Sequence, residues 1–415
     1  MKELNLTRRA RSVIRTATIK DTGIVFAGNT ISSVLGAVFY FLLARVAGPA
    51  QFGVFAAVTA VATTAVDLFD VGINAAVINY ASRIETRSVS LRAAFLRKVW
   101  ISLIVTLIII LAAPFISGLL GQPVLTGAIR WAAILVPTKA LFSFVRAGLQ
   151  AAKLFFLDAV MDILSSVLRL GLFVVFIFGF SFESVWAAIL SWGIGLFLPA
   201  AIASKKIWRM MGKSGNNIIA PGFTSYQSYM TAAFAVSAIS GRLDVFFLTR
   251  LTSLETVGWY QAAFRLFMPV QQLSSSLSRV LAPRFAGFGD KGEAKKYLNK
   301  SLLMSAGLAI LMFLTLPFLP WGIKFLYGSD FTAAAGNAFW LLVYFAVFLA
   351  ATPWWAKLLY FHSNARGYAV LAGGQLIMLL ILMPILINVF GSNGAAAALI
   401  GVNLAAAGMA AYLVK

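Results

Sequence analysis

The chain has 415 residues, of which 61% are hydrophobic and 11% are charged, and its mean hydropathy is +0.90. Soluble domains are about 45–50% apolar and about 25% charged, so this composition excludes an ordinary soluble protein. The net charge of +21 arises from 34 Lys and Arg against 13 Asp and Glu. The sequence has no cysteine, which excludes disulfides and thiol chemistry.

Long apolar runs predict membrane-spanning helices. Residues 99–120, for example, exceed the roughly 18 apolar residues that mark a span. Lipid satisfies no backbone polar group, so spans of this length are helical. We therefore predict an all-α polytopic membrane protein with about twelve spans, and Pro353 is the expected position of a break in the tenth. The spans lie at 22–45, 52–80, 97–120, 125–148, 154–180, 184–205, 226–249, 255–281, 300–320, 333–360, 366–390 and 394–414.

Lysine and arginine are distributed unequally between the two sides of these spans. With the N-terminus inside, the inner segments hold 25 of the 34 Lys and Arg, and the outer links hold only Arg45, Arg250 and Lys324. The positive-inside rule therefore predicts a multi-pass protein of the cell membrane with both termini in the cytoplasm. The basic inner segments that set the orientation and contact anionic lipids account for the net charge of +21. Binding of nucleic acid would require a soluble basic domain, and the sequence has none. Residues 1–21 are predicted to form an amphipathic helix on the inner leaflet.

An internal repeat relates the two halves. FLLARVAGPAQFGVFAAV at 41–58 aligns with FFLTRLTSLETVGWYQAA at 246–263 with a shift of 205 residues. Six spans in each half give both copies the same direction, which predicts two lobes, 22–205 and 226–415, joined by a basic cytoplasmic link at 206–225. Gly53 aligns with Gly258, and both are expected where two helices approach closely. Arg45 aligns with Arg250, and both are expected to reach outer lipid headgroups.

Polar side chains share one face of several predicted spans. At about 100° per residue, five polar residues of the second span lie within roughly 80°, and six of the eighth lie within roughly 100°. They are Thr59, Thr63, Asp67, Asp70 and Asn74, and Gln261, Arg265, Gln272, Ser275, Ser276 and Arg279. A charge near the bilayer centre costs about 2.5–3.5 kcal/mol, so these faces are expected to meet protein or a wet cavity between the halves. Shorter stripes contain Asp158, Asp162, Ser165 and Arg169 on the fifth span, Lys139, Ser143, Arg146 and Gln150 on the fourth, and Asn29 on the first.

These stripes contain the candidate site residues. The candidate substrate-binding cations are Arg265, Lys139, Arg169, Arg279 and Arg242. The candidate cavity-lining residues are Asn29, Asp67, Asp70, Asn74, Gln261 and Gln272. The carboxylates that suit proton or sodium coupling are Asp67, Asp70, Asp162 and Asp244, which could equally be salt-bridge partners of the membrane arginines. His362 is the only histidine, and no metal spacing or phosphate loop is present, so we expect no enzyme activity, metal or cofactor.

Two stretches resemble a known family. LLARVAGPAQFGVFAAV with DLFDVGINAAVINYASR, and GRLDVFFLTRLTSLETVGWYQAAFRLFMPV with RVLAPRFAG, are similar to segments of the polysaccharide transporter (lipid-linked oligosaccharide flippase) family. This family is part of the multidrug/oligosaccharidyl-lipid/polysaccharide (MOP) exporter superfamily. The resemblance implies two six-helix lobes in a V, with a central cavity that opens alternately to each side. It also implies a polyprenyl-diphosphate-linked glycan as substrate, moved from the inner to the outer leaflet for cell-surface polysaccharide synthesis.

The sequence is also compatible with other functions. Related peptidoglycan-precursor flippases typically have two more spans than the twelve predicted. A proton- or sodium-coupled multidrug antiporter would use membrane carboxylates, but the membrane cations are more numerous than a site for cationic drugs requires. A scaffold that transports nothing would pair its polar stripes internally. The expected partners are membrane lipids and the glycan substrate, with glycosyltransferases or a polysaccharide polymerase as further candidates.

Overall fold

A computed structural model describes residues 2–212, 222–362 and 365–414. Of residues 2–22, 71, 229, 232, 233, 365 and 366 it describes the backbone but not the side chains. The side chains of the predicted amphipathic segment 1–21, and residues 213–221 of the predicted link 206–225, therefore lie outside the described part.

The regular elements of the described chain are helices. They are α1 (Lys2–Tyr80), α2 (Ile84–Leu119), α3 (Leu125–Ala132), α4 (Leu135–Ala151), α5 (Phe155–Val174), α6 (Ser184–Met211), α7 (Phe223–Ser240), α8 (Leu243–Leu251), α9 (Leu254–Leu266), α10 (Met268–Gly287), α11 (Lys291–Phe313), α12 (Leu319–Tyr327), α13 (Ala334–Ala356), α14 (Ala365–Phe390) and α15 (Ser392–Leu413). Two π-helical turns, Val175–Gly179 and Lys357–Phe361, follow α5 and α13.

Nine stretches of the described chain are long and apolar enough to cross a membrane. One of them, Gly23–Asp70, covers the first predicted span and residues 52–70 of the second, and these meet at a kink at Gly48 (φ 72°) just before Pro49. Eight others each match one predicted span. The predicted seventh and eighth spans each consist of two helices, α7 with α8 and α9 with α10, and neither is among the nine.

Helix breaks occur at positions that the sequence did not predict. The eighth span is interrupted at Phe267, and Pro269 lies in the first turn of α10, where a missing N–H removes no helical hydrogen bond. The seventh span is interrupted at a turn after Ser240. The expected break at Pro353 is wrong, because α13 continues through this proline and then widens into a π-helical turn.

The chain divides into two compact units. Unit 1 consists of Met1–Tyr40, Ala65–Ala113 and Ile129–Phe234. Unit 2 consists of Phe41–Thr64, Pro114–Ala128 and Ala235–Lys415. These boundaries differ from those of the predicted lobes 22–205 and 226–415, whose division stays a prediction.

Each unit has its own apolar interior. In unit 1 the core joins α1, α2, α4 and α6 around buried side chains that include Ile73, Leu91 and Phe144. In unit 2 a core cluster joins α10, α11 and α13 around Leu281, Phe285 and Leu349.

The outward face of α2 is also apolar. Its exposed side chains follow a helical spacing and include Leu103, Ile104, Leu107, Ile108 and Leu111, each at least half exposed. An uninterrupted apolar stripe of this length is typical of a helix whose outer surface contacts lipid hydrocarbon. The face confirms that the chain is a membrane protein.

Candidate transport site

A buried lysine joins α1, α2 and α4 in unit 1. Lys98 Nζ lies 2.6 Å from Asp70 Oδ1 and donates hydrogen bonds to Asn74 Oδ1 at 2.5 Å and to Ser143 Oγ at 3.0 Å. All three ammonium hydrogens thus have an acceptor. The side chains of Lys98 and Asp70 are 4% and 7% exposed. Lys98 is not among the candidate site residues that the sequence indicated.

The space beside this ion pair is very small. A void of about 10 Å³ is lined by Asp70, Lys98, Ser102 and apolar side chains. A water molecule needs at least about 10–15 Å³ on this measure, so the void has room for about one water at most. Asp70 and Lys98 are therefore enclosed within unit 1.

A second ion pair links the second and fourth predicted spans. Lys139 Nζ lies 2.8 Å from Asp67 Oδ1, and the two side chains are 26% and 33% exposed. The structure brings a candidate substrate-binding cation together with a candidate coupling carboxylate. The carboxylate offsets the positive charge of Lys139, which weakens it as a site for an anion.

One arginine holds two carboxylates of α5. Arg146 Nε lies 2.6 Å from Asp158 Oδ1, and its Nη1 lies 2.9 Å from Asp162 Oδ1. Gln150 on the next turn donates to Asp158 Oδ2 at 3.0 Å. The polar stripes of the fourth and fifth spans therefore face each other, and Asp162 has a salt-bridge partner in Arg146.

Arg169 lies among aromatic rings in unit 1. Its guanidinium carbon is 4.9 Å from the ring centre of Phe39, and 5.7 Å from those of Tyr40 and Trp192. A Cβ at Gly36 would lie 2.9 Å from Arg169 Nη2, so the small residue leaves room for the guanidinium. Aromatic faces attract a cation without cancelling its charge.

Arg265 occupies the helix break of unit 2. It is the penultimate residue of α9, is partly buried, and lies with its guanidinium carbon 5.8 Å from the ring centre of Phe52. A cation in the last turn of a helix is stabilised by the helix dipole. The hydroxyl of Tyr327 is buried and has no hydrogen-bond partner among the described atoms. The break thus holds a guanidinium in a largely apolar, aromatic surrounding.

An apolar groove begins at the same break. It has a volume of about 330 Å³, and Leu266, Phe267 and Val270 line it at the end of α9 and the start of α10. Its other wall is formed by the end of α11 and by α12. The lining side chains are Leu266, Phe267, Val270, Met312, Thr315, Phe318, Leu319, Trp321, Ile323 and Leu326, with Gly322.

Asp244 lies at the other helix break of unit 2. It is the second residue of α8, is 5% exposed, and accepts a hydrogen bond from the backbone N–H of Val245 at 2.8 Å. A carboxylate in the first turn of a helix is stabilised by the helix dipole. No described side chain forms an ion pair with it.

The polar face predicted along the eighth span is interrupted. Gln261 on α9 is buried, whereas Gln272 and Arg279 on α10 are exposed. The prediction assumed one continuous helix, whereas the break at Phe267 divides this face between α9 and α10. That these residues line a cavity stays a prediction.

The other candidates lie apart from these clusters. Arg242 immediately precedes α8, and Asn29 is partly buried on α1. Arg279 donates to Ser276 within α10 at 3.2 Å. Within the described residues, no three His, Cys, Asp or Glu side chains are grouped as metal ligands.

Solved structures of transporters share this fold. A multidrug resistance MATE family transporter of the MOP superfamily, in an inward-facing conformation, matches with a TM-score of 0.73 and 12% identity over 91% of this chain and 92% of that chain. The lipid II flippase MurJ, in an inward closed conformation, matches with a TM-score of 0.73 and 15% identity over 94% and 86%. A MOP superfamily transporter from Pyrococcus furiosus matches with a TM-score of 0.59 and 13% identity over 93% and 91%. At these identities the likeness shows the fold alone.

The family of the chain follows from its sequence. No curated protein matches it. A family model described as "Polysaccharide biosynthesis protein" matches residues 18–288, which is more than half of the chain. The range includes both halves of the internal repeat and the helix break that holds Arg265. The chain therefore belongs to the polysaccharide biosynthesis protein family, and its fold is the one found in these MOP superfamily transporters.

Proposed function

We propose that this protein is an alternating-access flippase for a polyprenyl-diphosphate-linked oligosaccharide. It moves this lipid from the inner to the outer leaflet of the cell membrane, and both of its termini lie in the cytoplasm. The family match and the transporter fold support the class of activity. The charge distribution along the sequence supports the orientation.

The observation that carries the substrate assignment is the position of Arg265 beside the apolar groove. A diphosphate accepts charge-assisted hydrogen bonds from a guanidinium, and these bonds are stronger in a surrounding of low dielectric constant. Leu266, the next residue, already lines the groove. A lipid diphosphate has the same arrangement, with an anionic group attached directly to an apolar chain. We therefore assign the diphosphate to Arg265 and part of the polyprenyl chain to the groove.

Other cations are assigned a secondary role in binding the anionic substrate. Arg169 lies against three aromatic rings, and such contacts do not cancel a positive charge, so we take it as the stronger of the two candidates in unit 1. Lys139 is offset by Asp67 and is the weaker one. Arg242, which acts electrostatically on Asp244, and Arg279 also stay candidates.

Asp244 is our candidate for proton coupling. The other three candidates, Asp67, Asp70 and Asp162, are already held by cations of unit 1. Arg242, Tyr260 and Tyr344 are the titratable groups that act electrostatically on the Asp244 carboxylate. Asp244→Asn should leave downhill movement of the lipid intact and remove its response to an imposed pH gradient. An unchanged response would exclude Asp244 as the coupling group.

Two alternatives differ in how well they fit this arrangement. A peptidoglycan precursor has the same diphosphate and polyprenyl chain, so the site accommodates its lipid part equally well. A cationic drug would require free carboxylates, but those of the second and fifth spans are neutralised by Lys98, Lys139 and Arg146, which leaves Asp244 for that role. Glycosyltransferases that supply the lipid-linked glycan and a polymerase that consumes it are the proposed partners.

The proposal is tested with purified protein in liposomes that contain polyprenyl-diphosphate-N-acetylglucosamine. A galactosyltransferase with UDP-galactose added outside modifies only the sugars on the outer surface, so its product measures movement across the bilayer. Arg265→Gln should slow movement roughly 10- to 100-fold, since a hydrogen bond to a charged group contributes about 1.5–3 kcal/mol. Arg265→Lys should keep part of the rate, because the charge remains although the planar fork is lost.

Lys324→Gln serves as the matched control, because Lys324 is an exposed cation of the same unit. It should move the lipid at the wild-type rate. A wild-type protein that moves ethidium but not the lipid would establish the antiporter instead. Movement by Arg265→Gln at the wild-type rate would contradict the assignment of the diphosphate to this arginine.

A further inference from the structure

Two glycines related by the internal repeat contact each other in unit 2. A Cβ at Gly53 would overlap the carbonyl oxygen of Leu254, and a Cβ at Gly258 would overlap the carbonyl oxygen of Pro49. With the shift of 205 residues, Gly53 aligns with Gly258, and Pro49 aligns with Leu254. The two backbones therefore exchange equivalent contacts across a local two-fold relation. This confirms the close helix approach predicted for both glycines.

The contact is a direct one between main chains. The Cβ built at Gly53 lies 3.1 Å from the amide nitrogen of Gly258, and the reciprocal distance to the nitrogen of Gly53 is 3.2 Å. Both segments are helical here, so no other residue type could occupy either position without separating the helices.

Two arginines related by the same shift flank the glycine contact. Arg45 Nε donates to the carbonyl oxygen of Leu326 at 3.0 Å, and its Nη2 donates to that of Phe325, at the last turn of α12. Arg250 Nη1 donates to the carbonyl oxygen of Gly118 at 3.3 Å, at the last turn of α2. The expectation that they reach lipid headgroups is thus corrected, because each binds the end of a helix.

The two helix ends that receive the arginines are also alike. Each is followed by a glycine with positive φ, Gly121 (φ 68°) after α2 and Gly328 (φ 100°) after α12. The terminal carbonyl groups of a helix lack intrahelical donors and carry partial negative charge, so an arginine is a suitable partner. Arg45 lies in the first half of the chain and α12 in the second, whereas Arg250 lies in the second half and α2 in the first.

A glutamine completes the contact on one side. Gln122 Nε2 donates to the carbonyl oxygens of Thr252 at 3.2 Å and of Thr249 at 3.4 Å, at the end of α8. The rings of Phe41 and Tyr327 meet edge to face at 5.0 Å. All of these residues are on the side of the spans that the charge pattern predicts to be outer.

We propose that residues 41–58 and 246–263 form the outer gate of the transporter, closed in this structure by Gly53 and Gly258 and latched symmetrically by Arg45 and Arg250. This proposal rests on the proposed alternating-access function, which requires the two segments to separate when the substrate leaves. The latch suits a reversible gate, because its acceptors are neutral carbonyl groups. Water can replace them at an exposed interface at little cost, whereas a buried ion pair resists separation.

The test uses the cysteine-free chain with one reporter, Thr59→Cys. Thr59 belongs to unit 2, follows Gly53 by six residues, and is 4% exposed, so a membrane-impermeant thiol reagent reaches it slowly while the gate is closed. Gly53→Ala and Gly258→Ala should each raise the rate of labelling from outside about tenfold. This is the change expected when the added methyl group raises the ratio of open to closed molecules about tenfold. Gly127→Ala is the matched control, since a Cβ at this helical glycine of unit 2 meets no atom within 4 Å.

The arginines provide a second, milder pair of variants that does not depend on a steric overlap. Arg45→Gln and Arg250→Gln should each increase labelling of Thr59→Cys by a similar factor, because the two residues have equivalent roles, and the double variant should exceed either single one. Lys324→Gln, a control with the same loss of charge, should label like the parent.

The result that would overturn the gate is a parental labelling rate in both glycine variants and both arginine variants, each shown to be folded by gel filtration. Faster labelling from the cytoplasmic side of inverted vesicles, but not from outside, would contradict the outer position. Labelling needs no substrate, so it stays informative even if the wild-type protein fails to move the lipid-linked sugar. In that case the proposed substrate is wrong and the gate is judged separately.

Discussion

The cations of unit 1 and unit 2 have different partners. In unit 1, Lys98, Lys139 and Arg146 each face at least one carboxylate. In unit 2, Arg45 and Arg250 bind carbonyl oxygens, and Arg265 lies over an aromatic ring. A carboxylate cancels a positive charge, whereas a carbonyl dipole or a ring does not.

This difference suggests a division of roles. The neutralised cations of unit 1 hold helices together. In unit 2, Arg45 and Arg250 bind helix ends that they can release, and Arg265 is the residue proposed to attract an anion. Arg169 is the exception in unit 1, because it lies among Phe39, Tyr40 and Trp192. It belongs with the cations of unit 2 in its chemistry, which is why it stays a candidate for substrate contact.

The largest effect on stability is expected at the buried lysine. Lys98→Met leaves Asp70 as a buried carboxylate without its cation, which should lower the free energy of unfolding by about 3–5 kcal/mol. Asp70→Asn added to Lys98→Met should recover much of this loss, because no buried charge then remains. Unfolding in mixed micelles of detergent and SDS measures both. A loss below about 1 kcal/mol for Lys98→Met would show that the pair is as weak as a surface salt bridge.

A smaller loss is expected when the double contact of α5 is removed. Arg146→Gln separates a partly exposed guanidinium from Asp158, which is 3% exposed, and from Asp162. Hydrogen bonds to charged groups contribute about 1.5–3 kcal/mol, and the same unfolding measurement should show a loss in this range. Arg209→Gln, at an exposed position of α6, is the control and should change little.

The third ion pair of unit 1 should contribute least to stability. The side chains of Lys139 and Asp67 are 26% and 33% exposed, so solvent screens their attraction. Lys139→Gln should lower the free energy of unfolding by no more than about 1 kcal/mol. Adding salt should weaken the difference between variant and wild type, since exposed pairs are screened. A loss that exceeds that of Lys98→Met would reverse the order that burial predicts.

The variant Arg265→Gln should have the smallest effect on stability and the largest effect on transport. Arg265→Gln should change the free energy of unfolding by less than about 0.5 kcal/mol, because glutamine keeps a polar, hydrogen-bonding head at this partly buried position. The same variant should move the lipid-linked sugar roughly 10- to 100-fold more slowly than the wild type. Destabilisation as large as that of Lys98→Met would remove the distinction between the two units and make Arg265 a structural residue.

The sequence did not predict the positions of the helix breaks correctly. Pro269 lies where α10 starts, whereas Pro353 lies within a continuous α13. A proline inside a helix removes one backbone hydrogen bond, whereas a proline in the first turn removes none. The packing of neighbouring helices decides whether the chain bends or continues at such a position. The break at Phe267 therefore was not visible in the apolar pattern, although it positions Arg265 and the groove.

Membrane class, helical structure and the spacing of the glycines were determined by the sequence itself. They depend on local properties, since an apolar run of about 20 residues has no other stable form in lipid, and a repeat places equivalent residues at a constant shift. The partners of the charges were decided only by the tertiary structure. Lys139 reaches Asp67 across 72 positions of sequence, and Lys98, with no distinguishing signal among the basic residues, reaches Asp70. Such pairs depend on how each helix is rotated against its neighbours, and this rotation is set by the packing of many side chains together.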